Sequence, residues 1–110
     1  MNLTHDMETV AFVLYDKYIE RTDSGETKHD AREFQSNFYL STRKLWDEYD
    51  IDIDDILNGL KQKGLIKKYV TGRIELTNEL IAFAEENNDR KPEIVLEIAS
   101  KLSSIFSVFI

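Results

Sequence analysis

The sequence predicts an α+β fold that is mostly helical, and two kinds of periodicity carry this prediction. Apolar side chains recur every three to four residues in the stretches 6–21, 53–63 and 92–109, as on one face of a helix. Residues 65–69 and 73–76 instead alternate around a two-residue Thr-Gly link, which is typical of two short strands in a hairpin. With 110 residues, the chain has room for one domain and an added terminal element.

The first helix is predicted at residues 6–21, where Met7, Val10, Leu14 and Tyr18 fall on one stripe near a possible cap at Thr4 or His5. Three helix-breaking residues follow: Asp23, Ser24 and Gly25.

The next stretch, residues 26–36, is polar, and one extra helical turn around Phe34 is the expectation for residues 31–35. It is followed by a short apolar run at residues 38–40.

Two further helices are predicted from their capping residues. Ser41 can accept from the free N–H groups of a helix at residues 42–48, and Asp52 can do the same for a helix at residues 53–63. Gly64 stands where a left-handed C-cap is needed. The second of these helices has an apolar face made of Ile53, Ile56, Leu57 and Leu60. Three side chains around the first are expected in the core: Leu45, Trp46 and Tyr49.

After the hairpin, Thr77 is predicted to cap a helix that packs on the core through Leu80, Ile81, Phe83 and Ala84. A polar break follows at residues 87–91, and Pro92 fits the first turn of a last helix. That helix carries an apolar stripe: Ile94, Ile98, Leu102, Ile105 and Phe109. Leaving so much apolar surface exposed is unfavourable, so the stripe needs a partner. Its own first helix would serve, but a homodimer through this stripe is the preferred prediction.

The segment GLKQKGLIKKYVTGRIELT resembles the second half of a winged helix-turn-helix domain, in which a helix leads through Gly-Leu-Ile into a hairpin that closes on Leu-Thr. The matching residues are Leu57, Leu60, Gly64, Leu65, Ile66, Leu76 and Thr77. The resemblance implies a winged-helix domain at residues 1–88 with a short β-hairpin wing, followed by an added C-terminal helix at residues 92–110. It also implies that residues 38–40 form the first strand and that residues 42–48 and 53–63 are the second and recognition helices. Members of this family bind DNA, RNA or proteins.

The distribution of charge limits what such a domain can bind. The net charge is −7, whereas a protein that binds duplex DNA is normally basic where it meets phosphate. Residues 1–60 carry −8 and residues 75–110 carry −4, but residues 61–74 carry +5. A DNA-binding transcriptional regulator is therefore predicted to hold double-stranded DNA through these residues: Arg43, Lys44, Asn58, Lys61, Lys67, Lys68 and Arg73.

Six carboxylates between residues 47 and 55 favour a different function. The base-facing part of the recognition helix would present Asp54 and Asp55, and phosphate repels both. The alternative hypothesis is an acidic protein-interaction module that meets a partner at this turn or through the last helix.

Several classes of function lack a sequence signal. Asp50, Asp52 and Asp54 open like a calcium-binding loop, but Asp55 replaces the required Gly and Lys61 the final Glu, so no metal site is predicted. The chain has no cysteine, and neither histidine belongs to a catalytic motif. We therefore expect no enzyme activity and no cofactor. Without a signal peptide or a membrane-spanning run, we expect a cytoplasmic protein that does not enter a membrane.

Overall fold

The computed structural model describes residues 2–107, without the side chains of residues 37, 39 and 105–107. It confirms the prediction of a mostly helical α+β fold. The elements in chain order are α1 (His5–Asp23), α2 (Lys28–Ala31), β1 (Glu33–Phe34), α3 (Asn37–Leu40), α4 (Arg43–Glu48), α5 (Ile53–Gln62), β2 (Ile66–Lys68), β3 (Ile74–Leu76), α6 (Asn78–Glu86), a 3₁₀ turn (Asn88–Arg90) and α7 (Ile94–Ser107). None of the helices in the described part of the chain has the length and apolar character needed to span a membrane.

Helix α1 is the centre of the core. Thr4 caps it by accepting a hydrogen bond from the Met7 amide. The helix continues two residues past the predicted end and includes Asp23, so only Ser24 and Gly25 of the predicted break follow it. Five consecutive residues, Val10 to Leu14, are fully buried because α1 packs against α2, α5, α6 and α7. A helix buried on this many sides cannot show a narrow amphipathic stripe.

The three strands form an antiparallel sheet in the order β1-β3-β2. Lys67 and Glu33 both pair with Glu75 across the sheet, and Lys68 and Phe34 both pair with Ile74. Because side chains alternate along a strand, Lys67, Glu75 and Glu33 share the outer face of the sheet. The inner face belongs to the core and carries Phe34, Ile66, Ile74 and Leu76.

The predicted position of the first strand is wrong. Residues 38–40 lie in helix α3, whereas the strand that pairs with β3 is Glu33–Phe34. The helical turn expected at residues 31–35 lies earlier, at Lys28–Ala31, because the Thr27 hydroxyl caps it by accepting from the Asp30 amide. Phe38 still enters the core, where its ring lies 4.9 Å from that of Phe34.

Three predicted boundaries also change. Thr42 rather than Ser41 precedes α4, and its buried hydroxyl donates to the Phe38 carbonyl and accepts from the Trp46 indole instead of capping the helix. The hairpin loop has three residues, 70–72, because the Tyr69 amide donates to the Arg73 carbonyl. Helix α7 begins at Ile94, two residues after Pro92.

The caps and the buried face predicted between residues 52 and 77 are otherwise confirmed. The Asp52 carboxylate accepts from the Asp55 amide at the start of α5, and all four residues of its apolar face are buried. Gly64 has a φ of +77°, the left-handed conformation that ends the helix. Thr77 caps α6 by accepting from the Leu80 amide, and its hydroxyl donates to the Leu65 carbonyl before β2.

Candidate nucleic-acid interface

Helix α5 exposes one stripe of polar side chains on the side away from its buried face. Asp54, Asn58 and Lys61 follow each other at spacings of four and three residues, so they lie one above the other along the helix. Asp54 is half-exposed, and Asn58 and Lys61 are exposed. This arrangement leaves the stripe open to a ligand along two turns of the helix.

Cationic side chains from two other elements reach this stripe. The Arg43 guanidinium, from α4, lies 2.7 Å from a carboxylate oxygen of Asp54. The Lys68 ammonium, from β2, donates to the Asn58 amide oxygen at 3.3 Å. The fold therefore brings Arg43, Asn58, Lys61 and Lys68 to one surface, which we call the α5 stripe, together with Asp54.

The predicted cations of the hairpin lie on opposite faces of the sheet. Lys67 and Arg73 lie on the outer face of the sheet, whereas Lys68 has the opposite orientation, towards α5. The Arg73 guanidinium is 2.5 Å from a carboxylate oxygen of Glu33 and 4.1 Å from the centre of the Tyr69 ring. The seven predicted residues thus do not form one surface, because Lys67 and Arg73 extend along the sheet rather than along α5.

The predicted contact residues also differ in whether they form an ion pair with a carboxylate. Arg43 and Arg73 are both in ion pairs. Lys44, Lys61 and Lys67 are exposed and have no ion pair among the residues that the structure describes. A phosphate group could therefore approach these lysines without displacing a carboxylate.

Tyr69 belongs to the outer face of the sheet and was not among the predicted site residues. Its hydroxyl donates to the Glu75 carboxylate at 2.5 Å. This hydrogen bond is the main reason that the pKa of Tyr69 is raised above its ordinary value of 10.0. With Arg73 against its ring, Tyr69 joins the two outer-face carboxylates, Glu33 and Glu75, into one network.

The acidic turn before α5 lies beside the stripe. Asp47, Asp50, Asp52 and Asp55 are all exposed, and Asp50 has the left-handed φ of +57° that reverses the chain between the helices. Within residues 2–107, no group of three potential ligands is placed to hold a metal ion. The carboxylates of this turn therefore repel any anionic ligand that binds at the α5 stripe.

The proposed dimer stripe lies largely inside the chain. Ile98 and Leu102 are fully buried and Ile94 is half-buried, since α7 packs along α1. The buried Lys17 ammonium of α1 donates to the Ser103 hydroxyl, and Lys101 lies 3.6 Å from a Glu48 carboxylate oxygen on α4. The Ile105 side chain and Phe109 lie outside the described residues, so the dimer stays a prediction.

Sequence reasoning could not identify the carboxylate partners of the two arginines. Glu33 lies 40 residues before Arg73, and Asp54 lies 11 residues after Arg43 across a turn. Helical periodicity relates residues three and four apart, so it gives no signal for either pair.

Comparison of the chain with protein-family models, curated proteins and solved structures gives no match.

Proposed function

We propose that this chain is a small, cytoplasmic winged-helix protein that binds double-stranded DNA and regulates transcription. The observation that carries the proposal is the α5 stripe, where Arg43 of α4 contacts Asp54 and Lys68 of the hairpin contacts Asn58 on the solvent-facing side of α5. The succession of helix, strand, two helices joined by a tight turn, and hairpin is compatible with the winged-helix resemblance. In helix-turn-helix proteins the second helix of the pair enters the major groove.

Phosphate contacts would come first from three lysines. Lys61 and Lys68 belong to the α5 stripe, and Lys44 follows Arg43 on α4. Lys44 and Lys61 are exposed, whereas Lys68 is half-buried. About three such contacts give a salt dependence with a slope near −2.7, and affinity should fall about 40-fold between 50 and 200 mM salt. The acidic turn opposes this binding and favours a weak, salt-sensitive interaction.

The proposal is tested by titrating the protein into labelled duplex DNA of mixed sequence. Binding is expected at low salt, where phosphate contacts are strongest, and it should weaken steeply as salt is added. K61E and K68E should each reduce affinity on every sequence. K28E makes the same charge change on α2, which lies against α1 and β1, and should have a smaller effect. If the wild-type protein binds no duplex at low salt, the proposal is wrong.

The exposed acidic turn favours a second candidate function, a module that binds a basic segment of another protein. Its support is the group of exposed carboxylates, Asp47, Asp50, Asp52 and Asp55, in a chain with a net charge of −7. A lysine-rich peptide should then bind the wild-type protein, and the triple variant D47N/D50N/D55N should lose that binding while K61E keeps it. Equal binding by the wild type and the triple variant would exclude the acidic turn as the contact.

A further inference from the structure

The contact between Arg43 and Asp54 joins the two helices of the proposed DNA-binding surface. The guanidinium and the carboxylate are 2.7 Å apart, and their side chains are 50% and 44% exposed. Arg43 is the only arginine among the cations of the α5 stripe, and the planar guanidinium can hold two phosphate oxygens at once. In this structure that group is already held by a carboxylate.

The neighbouring Asp55 provides a natural comparison. Both carboxylates lie in the first turn of α5, near the positive end of the helix. Asp55 is exposed and has no ion pair within the described part of the chain, whereas Asp54 has Arg43. The two residues therefore contribute the same charge to the surface, but only one of them competes with phosphate for an arginine.

We infer that Asp54 restrains Arg43, and that this ion pair is a built-in limit on the affinity of the α5 stripe for nucleic-acid phosphate. The inference rests on the proposed function and concerns how the same surface is regulated. A phosphate group that binds Arg43 must displace Asp54, or it must bind beside a carboxylate that repels it. Anything that removes the Asp54 charge adds one phosphate contact to the complex.

The size of the restraint follows from the exposure of the pair. Exposed ion pairs are weak, and breaking one alters an equilibrium by about fivefold at most. A clearer readout is the number of phosphate contacts, because each additional contact makes the slope of log affinity against log salt more negative by about 0.9. This slope reports on contacts rather than on stability, so a purely structural role for Asp54 would not change it.

The test compares D54N with D55N in duplex-DNA titrations by fluorescence anisotropy at several salt concentrations. Asp47 stands four residues after Arg43 on α4, a spacing at which it could replace Asp54 as the partner. Both variants are therefore made in a chain that also carries D47N, and D47N alone is the reference. We expect D47N/D54N to bind about two- to fivefold more tightly than D47N/D55N, with a slope more negative by about 0.9. Adding R43Q to both double variants should abolish both differences.

Each result separates the inference from the proposed function. If the wild type binds DNA but D47N/D54N and D47N/D55N have the same affinity and slope, the restraint by Asp54 is refuted and DNA binding stands. If D47N/D54N keeps its advantage over D47N/D55N after R43Q is added to both, the restraint does not act through Arg43 and is also refuted. If no variant binds DNA at the lowest salt, the proposed function fails, and the inference fails with it.

Discussion

Hydrogen bonds from the Arg21 side chain are predicted to stabilise the segment between α1 and the sheet, and R21M tests this role. Its guanidinium donates to the backbone carbonyls of Glu33 at 2.7 Å, Asp30 at 3.2 Å and Ala31 at 3.3 Å. The guanidinium carbon also lies 5.0 Å from the centre of the Phe34 ring. Methionine keeps the apolar stem and removes the donors. A hydrogen bond from a charged donor contributes about 1.5–3 kcal/mol, so R21M should lower the free energy of unfolding by about 2–3 kcal/mol.

The control is R32M, which removes an equal charge from the segment that Arg21 contacts. Arg32 makes an exposed hydrogen bond to the side chain of Asn78, so its loss should cost less than about 0.5 kcal/mol. Urea denaturation measures both variants, and hydrogen exchange locates the effect. In R21M the Leu76 amide, which donates to the Arg32 carbonyl, should lose protection, whereas the Thr77 amide, bonded to Leu65, should keep more of it. Equal stability of R21M and R32M would refute the reasoning.

Two further predictions concern glycines and alkaline pH. G64A should destabilise the protein by about 1–2 kcal/mol because residue 64 has a φ of +77° and nothing within 4 Å could compensate. G59A should instead be neutral or stabilising by up to about 1 kcal/mol, since alanine favours the helix and the added methyl group meets only the flexible end of Met7. Thermal unfolding of G64A and G59A checks these two opposite effects on stability. A destabilised G59A would contradict the prediction for residue 59. The hydrogen bond to Glu75 raises the pKa of Tyr69 above 10.0. The stability that this hydrogen bond contributes is therefore complete below pH 10 and is lost as the pH rises through the pKa of Tyr69 in the folded protein. The loss of stability above pH 10 should be smaller in Y69F, as urea denaturation across that range would show, and an unchanged pH profile would contradict it.

Local signals were sufficient where an element is defined by its own residues. Helix α5 has its cap at Asp52, its buried stripe and its terminal Gly64 within 13 residues, and all three were predicted correctly. Thr77 and α6 were predicted for the same reason. In each case the hydrogen-bond partners lie within the same helix or next to it, so the sequence pattern and the structure carry the same information.

Elements defined by distant partners were not predictable in this way. Strand β1 has two residues, too few for any alternation, and it is a strand only because β3 pairs with it 40 residues later. The apolar run at 38–40 looks more like a strand than Glu33–Phe34 does, yet its first residue enters the core from a helix. Likewise, the basic block of residues 61–74 indicated one cationic surface. Alternation along β2 instead orients Lys67 and Lys68 to opposite faces of the sheet.

The packing of α7 decides what a dimer of this protein would require. Val95, Ile98 and Leu102 are fully buried against the rest of the same chain, so a second copy could use them only if α7 left its own α1 and packed on that of the partner. Such an exchange reproduces the same contacts and gains little unless α7 has further apolar surface to bury. Leu96 is 61% exposed on the outer side of α7 and is available without any exchange.

A chain whose α7 stripe is fully covered by its own core should give a mass near 12.9 kDa in sedimentation equilibrium at micromolar concentration. In that case the stripe of α7 is satisfied within the chain, and L102A should lower the free energy of unfolding by about 2–5 kcal/mol without changing the mass. A mass twice as large would confirm the predicted dimer, and L96E then separates two arrangements. A dimer that dissociates in L96E uses the outer side of α7, whereas one that persists in L96E but not in L102A is built by exchange of the helix.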